Sequence, residues 1–317
     1  MSPFSNWRAD RWVMVLVLVI LALVPVFVAF SGNYFYLDVA TRLIILAIAA
    51  VSLNLILGYG GMISFGHAAY LGIGAYAVGI PAYYEIYDGY LQITLAVVLS
   101  ALFALITGAI CLRTRGIHFI MITMAFSQML FFGLVSIEEY GGDDGLVIEY
   151  RSEFSGLLDL EQATQLYYAA LVSLVVFLFL ISRLIQARFG MVIQGTKGND
   201  RRMRSLGFDT YRYQLACYVI SGAICGYAGA LLGNFTNFIS PEMMDWTRSG
   251  ELIFMVVLGG GGTLFGPVIG AAAFILLEEV LSGLWLYWQF IFGLILILVV
   301  IFAKRGLMGL LSNGRGQ

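Results

Sequence analysis

The sequence predicts an all-α polytopic membrane protein, about ten transmembrane segments long, with helices interrupted by glycine clusters. Three observations carry this. Of the 317 residues, 61% are hydrophobic and only 11% are charged, where a soluble domain carries roughly 25% charged residues. The apolar residues gather in runs long enough to cross a hydrocarbon core of about 30 Å as helices, without the strict alternation of a barrel. The basic residues collect in alternate connections, the pattern that orients helical membrane proteins. A net charge of −2 offers no global basic field, so no nucleic-acid partner is expected.

The elements follow in order. Arg8 and Arg11 precede a first run, 12–30, longer than the core of a cleaved secretory signal, so it is expected to remain as a span. Runs at 39–57, 62–81, 91–111, 117–137 and 164–183 come next, then a polar stretch, then 215–235, 249–258, 263–281 and 287–303. Segment 249–258 is too short to span alone and predicts a half-helix or re-entrant turn. With the N-terminus inside, every Lys and Arg except Arg42, Arg151 and Arg248 falls on the cytoplasmic side, and among the acids only Asp10, Asp200 and Asp209 do. Both chain ends are therefore expected in the cytoplasm, and 1–317 is expected to form a single membrane domain. Cys111, Cys217 and Cys225 lie within apolar runs and read as packing residues.

Two connections are unusually long. The outer one, 138–163, is acidic and reads either as a solvated linker or as a docking surface for an external partner. The inner one, 184–214, contains Asn199-Asp-Arg-Arg-Met-Arg-Ser-Leu-Gly207. Asn199 suits an N-cap, Asp200 the positive end of a helix dipole and Gly207 the C′ position. A two-turn amphipathic helix is predicted, with Met203 and Leu206 on one face among Arg201, Arg202 and Arg204. It either lies on anionic lipid headgroups or fits a groove on a soluble subunit. Gly190 to Lys197 nearly matches a phosphate-binding loop, but Thr196 and Lys197 stand in the wrong order and no strand precedes them. The chain is expected to hold no cofactor of its own, and any ATP belongs to another polypeptide. No nucleophile–base pair or metal-ligand set points to an enzyme.

Glycines divide into two kinds. Gly222, Gly226, Gly229 and Gly233 have the small-residue spacing of close helix packing. Leu57-Gly-Tyr-Gly-Gly-Met-Ile-Ser-Phe-Gly66 and Leu258-Gly-Gly-Gly-Gly-Thr-Leu-Phe-Gly266 instead resemble each other, as an internal duplication would produce. Irregular backbone at membrane depth is tolerated only where it is buried in protein or lines a watery cavity, and paired breaks point to a translocation site. The candidate pathway residues are thus Asn54, Gly58, Gly60, Gly61, Ser64, Phe65, His67, Gly259, Gly261, Gly262 and Thr263. His67 reads first as a structural hydrogen bonder, with no Cys, Asp or Glu at ligand spacing and so no metal. Glu251, Glu278 and Glu279 lie toward outer ends, and central charges are scarce. Coupling to a proton or sodium gradient is therefore not expected, and energy should enter through the inner loop.

The residues also resemble a known family. Asn54-Leu-Ile-Leu-Gly58-Tyr-Gly-Gly-Met-Ile-Ser64-Phe-Gly-His67, Leu112-Arg-Thr-Arg-Gly116, Gly141-Gly-Asp-Asp-Gly-Leu146, Gly207-Phe-Asp-Thr-Tyr-Arg-Tyr213, Ser240-Pro-Glu242 and Gly259-Gly-Gly-Gly-Thr-Leu-Phe-Gly-Pro267 look like the permease subunits of high-affinity branched-chain amino acid ABC transporters. The resemblance implies a multi-pass subunit of the bacterial inner membrane, paired with a second homologous permease. It further implies two cytoplasmic ATPase subunits that bind the ATP, and a periplasmic substrate-binding protein. It makes Arg188, Phe189, Gly190, Asn199, Asp200, Arg201, Arg202, Met203, Leu206 and Gly207 the loop that couples to the ATPase. Urea and short-chain amide permeases share most of these motifs and are the alternative for the cargo.

Overall fold

A computed structural model describes residues 7–154, 156, 158–284, 287–302 and 306–312. The helices, in chain order, are α1 (Trp7–Ser31), α2 (Phe35–Asn54), α3 (His67–Tyr83), α4 (Gly89–Cys111), α5 (Ile117–Val135), α6 (Ala163–Gln186), α7 (Arg188–Ser205), α8 (Thr210–Thr236), α9 (Trp246–Gly259), α10 (Gly266–Leu284), α11 (Trp288–Phe302) and α12 (Gly306–Ser312). Each apolar run of the sequence overlaps a helix, though the runs from 62 and from 263 open with non-helical residues before α3 and α10 begin. Among the described residues six are long and apolar enough to cross a membrane: Phe35–Tyr59, α4, α5, α6, α8 and α10. Shorter apolar stretches occupy Val17–Phe30 and Trp288–Leu298. Lys304, Arg305 and Arg315, which the charge pattern assigns to the cytoplasmic end of the chain, lie outside the described residues.

α2 is the hub. Ile44, Ile45 and Ala47 to Ala50 are fully buried around its circumference, and a helix apolar on all sides needs a neighbour on each. Here α6, α8, α9 and α10 supply them. α8 packs against α3 and α4 through its small residues, as their spacing predicts. A Cβ on Gly229 would enter the backbone of Leu71 in α3, and one on Gly226 would enter Ser100 and Ala96 of α4. Gly229→Leu is therefore expected to abolish the monodisperse folded form in detergent, read by size-exclusion chromatography. A wild-type elution profile would remove this crossing from the core.

The connection after α5 is a folded cover, not a free linker. Its strands β1 (Leu146–Val147) and β2 (Glu153–Phe154) pair with β4 (Phe238–Ile239) and β3 (Leu158–Asp159) respectively. Ile148, Phe154 and Leu160 are buried beneath it. The Arg151 guanidinium donates to Asn237 Oδ1 at 3.2 Å and to the Leu160 carbonyl at 2.9 Å. Ser152 is buried between Gln92 Oε1 and Asn234 Oδ1, both of which accept from it. The acids Glu138, Glu139, Asp143, Asp144, Glu149, Glu153, Asp159 and Glu161 all face outward from this cover.

Candidate functional site

The two glycine segments meet. Asn54, buried at the end of α2, donates through Nδ2 to the Thr263 carbonyl at 2.8 Å and accepts at Oδ1 from the Gly262 N–H at 2.9 Å. Gly58 is wedged in the same place, since a Cβ there would enter Asn54 Oδ1 and the Gly262 backbone. Gly262 has φ +86° and Gly260 φ +113°, conformations that favour glycine. Thr263 Oγ1 donates to the Gly260 carbonyl and accepts from the Gly266 N–H, capping α10. Gly259 lies at the tight α9–α10 crossing, whereas Gly261 is exposed, and a Cβ there would make only ordinary contacts with Val256 and Gly58. Of the sequence candidates, Asn54, Gly58, Gly262 and Thr263 thus form one clasp made of backbone and a single amide.

The first segment does not interrupt a span. α2 runs directly into a π-helical turn, Leu55–Tyr59, giving a continuous rod of 25 residues, about 37 Å long at 1.5 Å per residue. The break follows at its end, and residues 61–66 then turn back into the bundle. His67 Nε2 bonds Ser221 Oγ at 2.9 Å, and that hydroxyl donates to the Ser52 carbonyl. α3 therefore starts at the level of Ser52, about 10 Å short of Tyr59 along α2. Ser64 is buried and accepts from the Gly66 N–H. Phe65 N–H donates to Thr123 Oγ1 of α5, and Ala68 N–H to Ser249 Oγ of α9. His67 packs edge-on against Tyr70, and its Nδ1 is buried without a hydrogen-bond partner among the described residues. Among the described residues no cluster of His, Cys, Asp or Glu could hold a metal.

A second irregular stretch lies deep in the bundle, and the sequence reading missed it. The chain from Ser240 to Asp245 dips inward, placing Met244 against Gly72 of α3. Ser127 donates to the Met244 carbonyl and Gln128 to Asp245 Oδ1, each at 2.7 Å. This dip accounts for the shortness of α9, 14 residues and about 21 Å. The available signal was Thr123 and Ser127, four apart on one face of a largely apolar helix. Both hydroxyls serve irregular backbone on neighbouring segments.

α7 has two arms. Asn199 is non-helical (φ −160°, ψ 98°) and its Oδ1 accepts from the Arg202 N–H at 3.1 Å, the predicted cap of the second arm. Gly207 has φ +88°, and the Phe208 N–H bonds the Met203 carbonyl, closing the helix as predicted. The first arm, 188–198, lies ahead of the helix that the sequence predicts and is helical despite its glycines. Two of them are contact points: Gly190 lies on the Ile185 backbone and Gly195 on the Met203 thioether. Val192, Ile193 and Thr196 bury its inner face. Met203 and Leu206 do not share a face. Met203 turns toward Gly195, while Leu206 is already in the capping turn and is 66% exposed. Arg188, Arg201 and Arg202 are exposed, and Phe189 stacks tilted on Tyr213.

Asp200 pairs with Arg115 of the α4–α5 turn and with Arg204. Partial burial works to raise its carboxyl, but Thr210, Arg115 and Arg204 together hold it below the usual carboxylate range. A depressed folded value contributes stability above the unfolded pKa of about 3.9 that is lost as pH falls through the folded one. Asp200→Asn is thus expected to lower Tm at pH 7 and to leave it unchanged once the wild-type carboxyl is protonated in acid. A pH-independent difference in Tm would show that the pairing is not the cause.

α7 seats on the end of the α2 rod. Leu55 and Tyr59 line a cleft with Leu184, Ile185, Phe189 and Ile193. Lys197, absent from the sequence candidates, donates from Nζ to the Gly58 carbonyl at 2.6 Å, and its stem covers Gly61. The chain matches, over residues 35–300, the family described as branched-chain amino acid transport system / permease component. The chain belongs to this family. It is 27% identical over 294 residues to the high-affinity branched-chain amino acid transport system permease protein LivM of Salmonella typhimurium, covering 86% of this permease and 69% of that one. To LivM of Escherichia coli K12 it is 26% identical over 314 residues, 92% and 73% of the two chains. To LivH of the same strain, another permease of that transport system by name, it is 25% identical over 288 residues, 83% and 91%. No solved structure is significantly similar to it. The permease is a multi-pass membrane protein and a transport component.

Proposed function

We propose that this permease is one of two homologous membrane subunits of an ATP-binding-cassette importer that moves branched-chain amino acids across the bacterial inner membrane. Two cytoplasmic ATPase subunits hold the ATP and engage α7 through Arg188, Arg201, Arg202 and Leu206. A periplasmic binding protein docks on the acidic cover at 138–163 and delivers the substrate. In this reading about ten segments span, both chain ends are cytoplasmic, and the remaining apolar faces meet lipid or the second permease.

The observation that carries the reading is the seating of α7. A basic, exposed, two-armed helix presses on the end of α2 where both glycine segments are clasped. Displacement of α7 would shift that clasp. α3 and α9 both begin inside the bundle, and their starts face α5. Backbone at such broken ends offers partial charges to a zwitterion, each contributing about 0.3–2 kcal/mol. That is weak enough for release once the external protein has performed the capture.

The test is uptake by proteoliposomes holding both permeases and the ATPases, with the binding protein supplied. Leucine should accumulate only with internal-face ATP and loaded binding protein. Accumulation by this permease alone on a proton or sodium gradient would overturn the reading. A thermal shift of the cognate binding protein with leucine or valine, and none with urea, is expected for the cargo.

A further inference from the structure

The last carbonyls of a helix have no intrahelical donors and carry the negative end of its dipole, so a cation placed there is held well. At the end of the α2 rod, the Leu57 carbonyl accepts from the N–H groups of Gly60 and Gly61, and that of Ile56 from Met62. The Gly58 carbonyl accepts instead from Lys197 Nζ. The donor comes from the first arm of α7, two residues before the Asn199 kink, and the arm beyond the kink carries Arg201 and Arg202. The acceptor belongs to the residue wedged between Asn54 and Gly262. One side chain therefore joins the exposed lever to the point where the two glycine segments touch.

We propose that Lys197 is a positioning residue that carries the displacement of α7 to the glycine clasp, so that ATP hydrolysis and substrate movement stay coupled. This rests on the permease reading above and deepens it. Lys197 is itself exposed, but its Nζ is turned to the Gly58 carbonyl. Arg201 and Arg202 lie on the arm beyond the kink, so docking of the ATPase falls to the arginines and does not need this bond. An ammonium on a four-carbon stem keeps hold of a carbonyl through small rotations of the helix. Losing it leaves the clasp intact through Asn54 but without its link to the lever.

The experiment compares wild type, Lys197→Met, Lys197→Gln and Lys197→Arg in the complete complex in proteoliposomes, reading co-purification, ATP hydrolysis and leucine uptake. Lys197→Met should assemble and hydrolyse ATP, while uptake per ATP falls roughly tenfold or more, the scale of one lost charge-assisted hydrogen bond. Lys197→Arg should restore most of that ratio. Wild-type coupling in Lys197→Met overturns the proposal. So does a parallel loss of hydrolysis and uptake, or failure of both neutral variants to assemble, since each would place Lys197 in the docking surface. A wild-type complex without ATP-dependent uptake sinks the permease reading itself, an outcome separable from all of these.

Discussion

Gly58→Val should reduce ATP-dependent uptake more than hundredfold, while Gly261→Ala should stay near wild type. The contrast separates the clasp from the merely glycine-rich. At Gly58 a Cβ meets Asn54 Oδ1 and the Gly262 backbone, neither of which can move without breaking the two bonds that Asn54 makes. Overpacking of this kind costs about 1–3 kcal/mol or more, and here the strain is directed into the joint between two broken helices. At Gly261 the nearest atom is the methyl of Val256 at 3.7 Å, ordinary contact. The measurement is initial uptake in proteoliposomes matched for the amount of assembled complex. Near-normal transport by Gly58→Val would show that the clasp does not move during the cycle.

The second large effect is expected from Arg201→Glu/Arg202→Glu. Both side chains are exposed on the arm that projects past the Asn199 kink, and their loss removes no contact inside this chain. Folding, membrane insertion and Tm should be unchanged. Binding of the ATPase should weaken more than about hundredfold, because like charges opposed across an interface cost several kcal/mol and each 1.4 kcal/mol is about tenfold. Co-purification from detergent is the readout, repeated at high salt, where screening should shrink the difference. Unchanged co-purification would leave α7 as a basic strip on lipid headgroups.

Where one residue's chemistry dictates local geometry, the sequence was legible. Asn199 as a cap and Gly207 as a left-handed terminus could be read directly, because both follow from backbone demands within a few residues. The α8 glycines were legible for a similar reason, since their spacing alone lays them along one face. The likeness of the two glycine segments was visible too, but not that they touch, because that contact spans 208 residues between Asn54 and Gly262. Position along the membrane normal was the main failure. An apolar run does not say where its break falls relative to its neighbours, and the π-turn extended α2 past the point where glycines were expected to interrupt it. The 240–245 dip was hidden because its hydrogen-bond partners, Ser127 and Gln128, lie on α5. Lys197 was passed over because its neighbours mimic a nucleotide loop in the wrong order.

The β1–β4 ladder ties the acidic cover to Phe238–Ile239, immediately ahead of the 240–245 dip. From there α9 descends to Gly259, Gly262 reaches Asn54, and Gly58 reaches Lys197. News of a visitor at one face thus has a covalent and hydrogen-bonded route to the opposite face that never leaves this polypeptide. In the importer proposed above, this route would let fuel consumption wait for cargo without the twin subunit relaying the message.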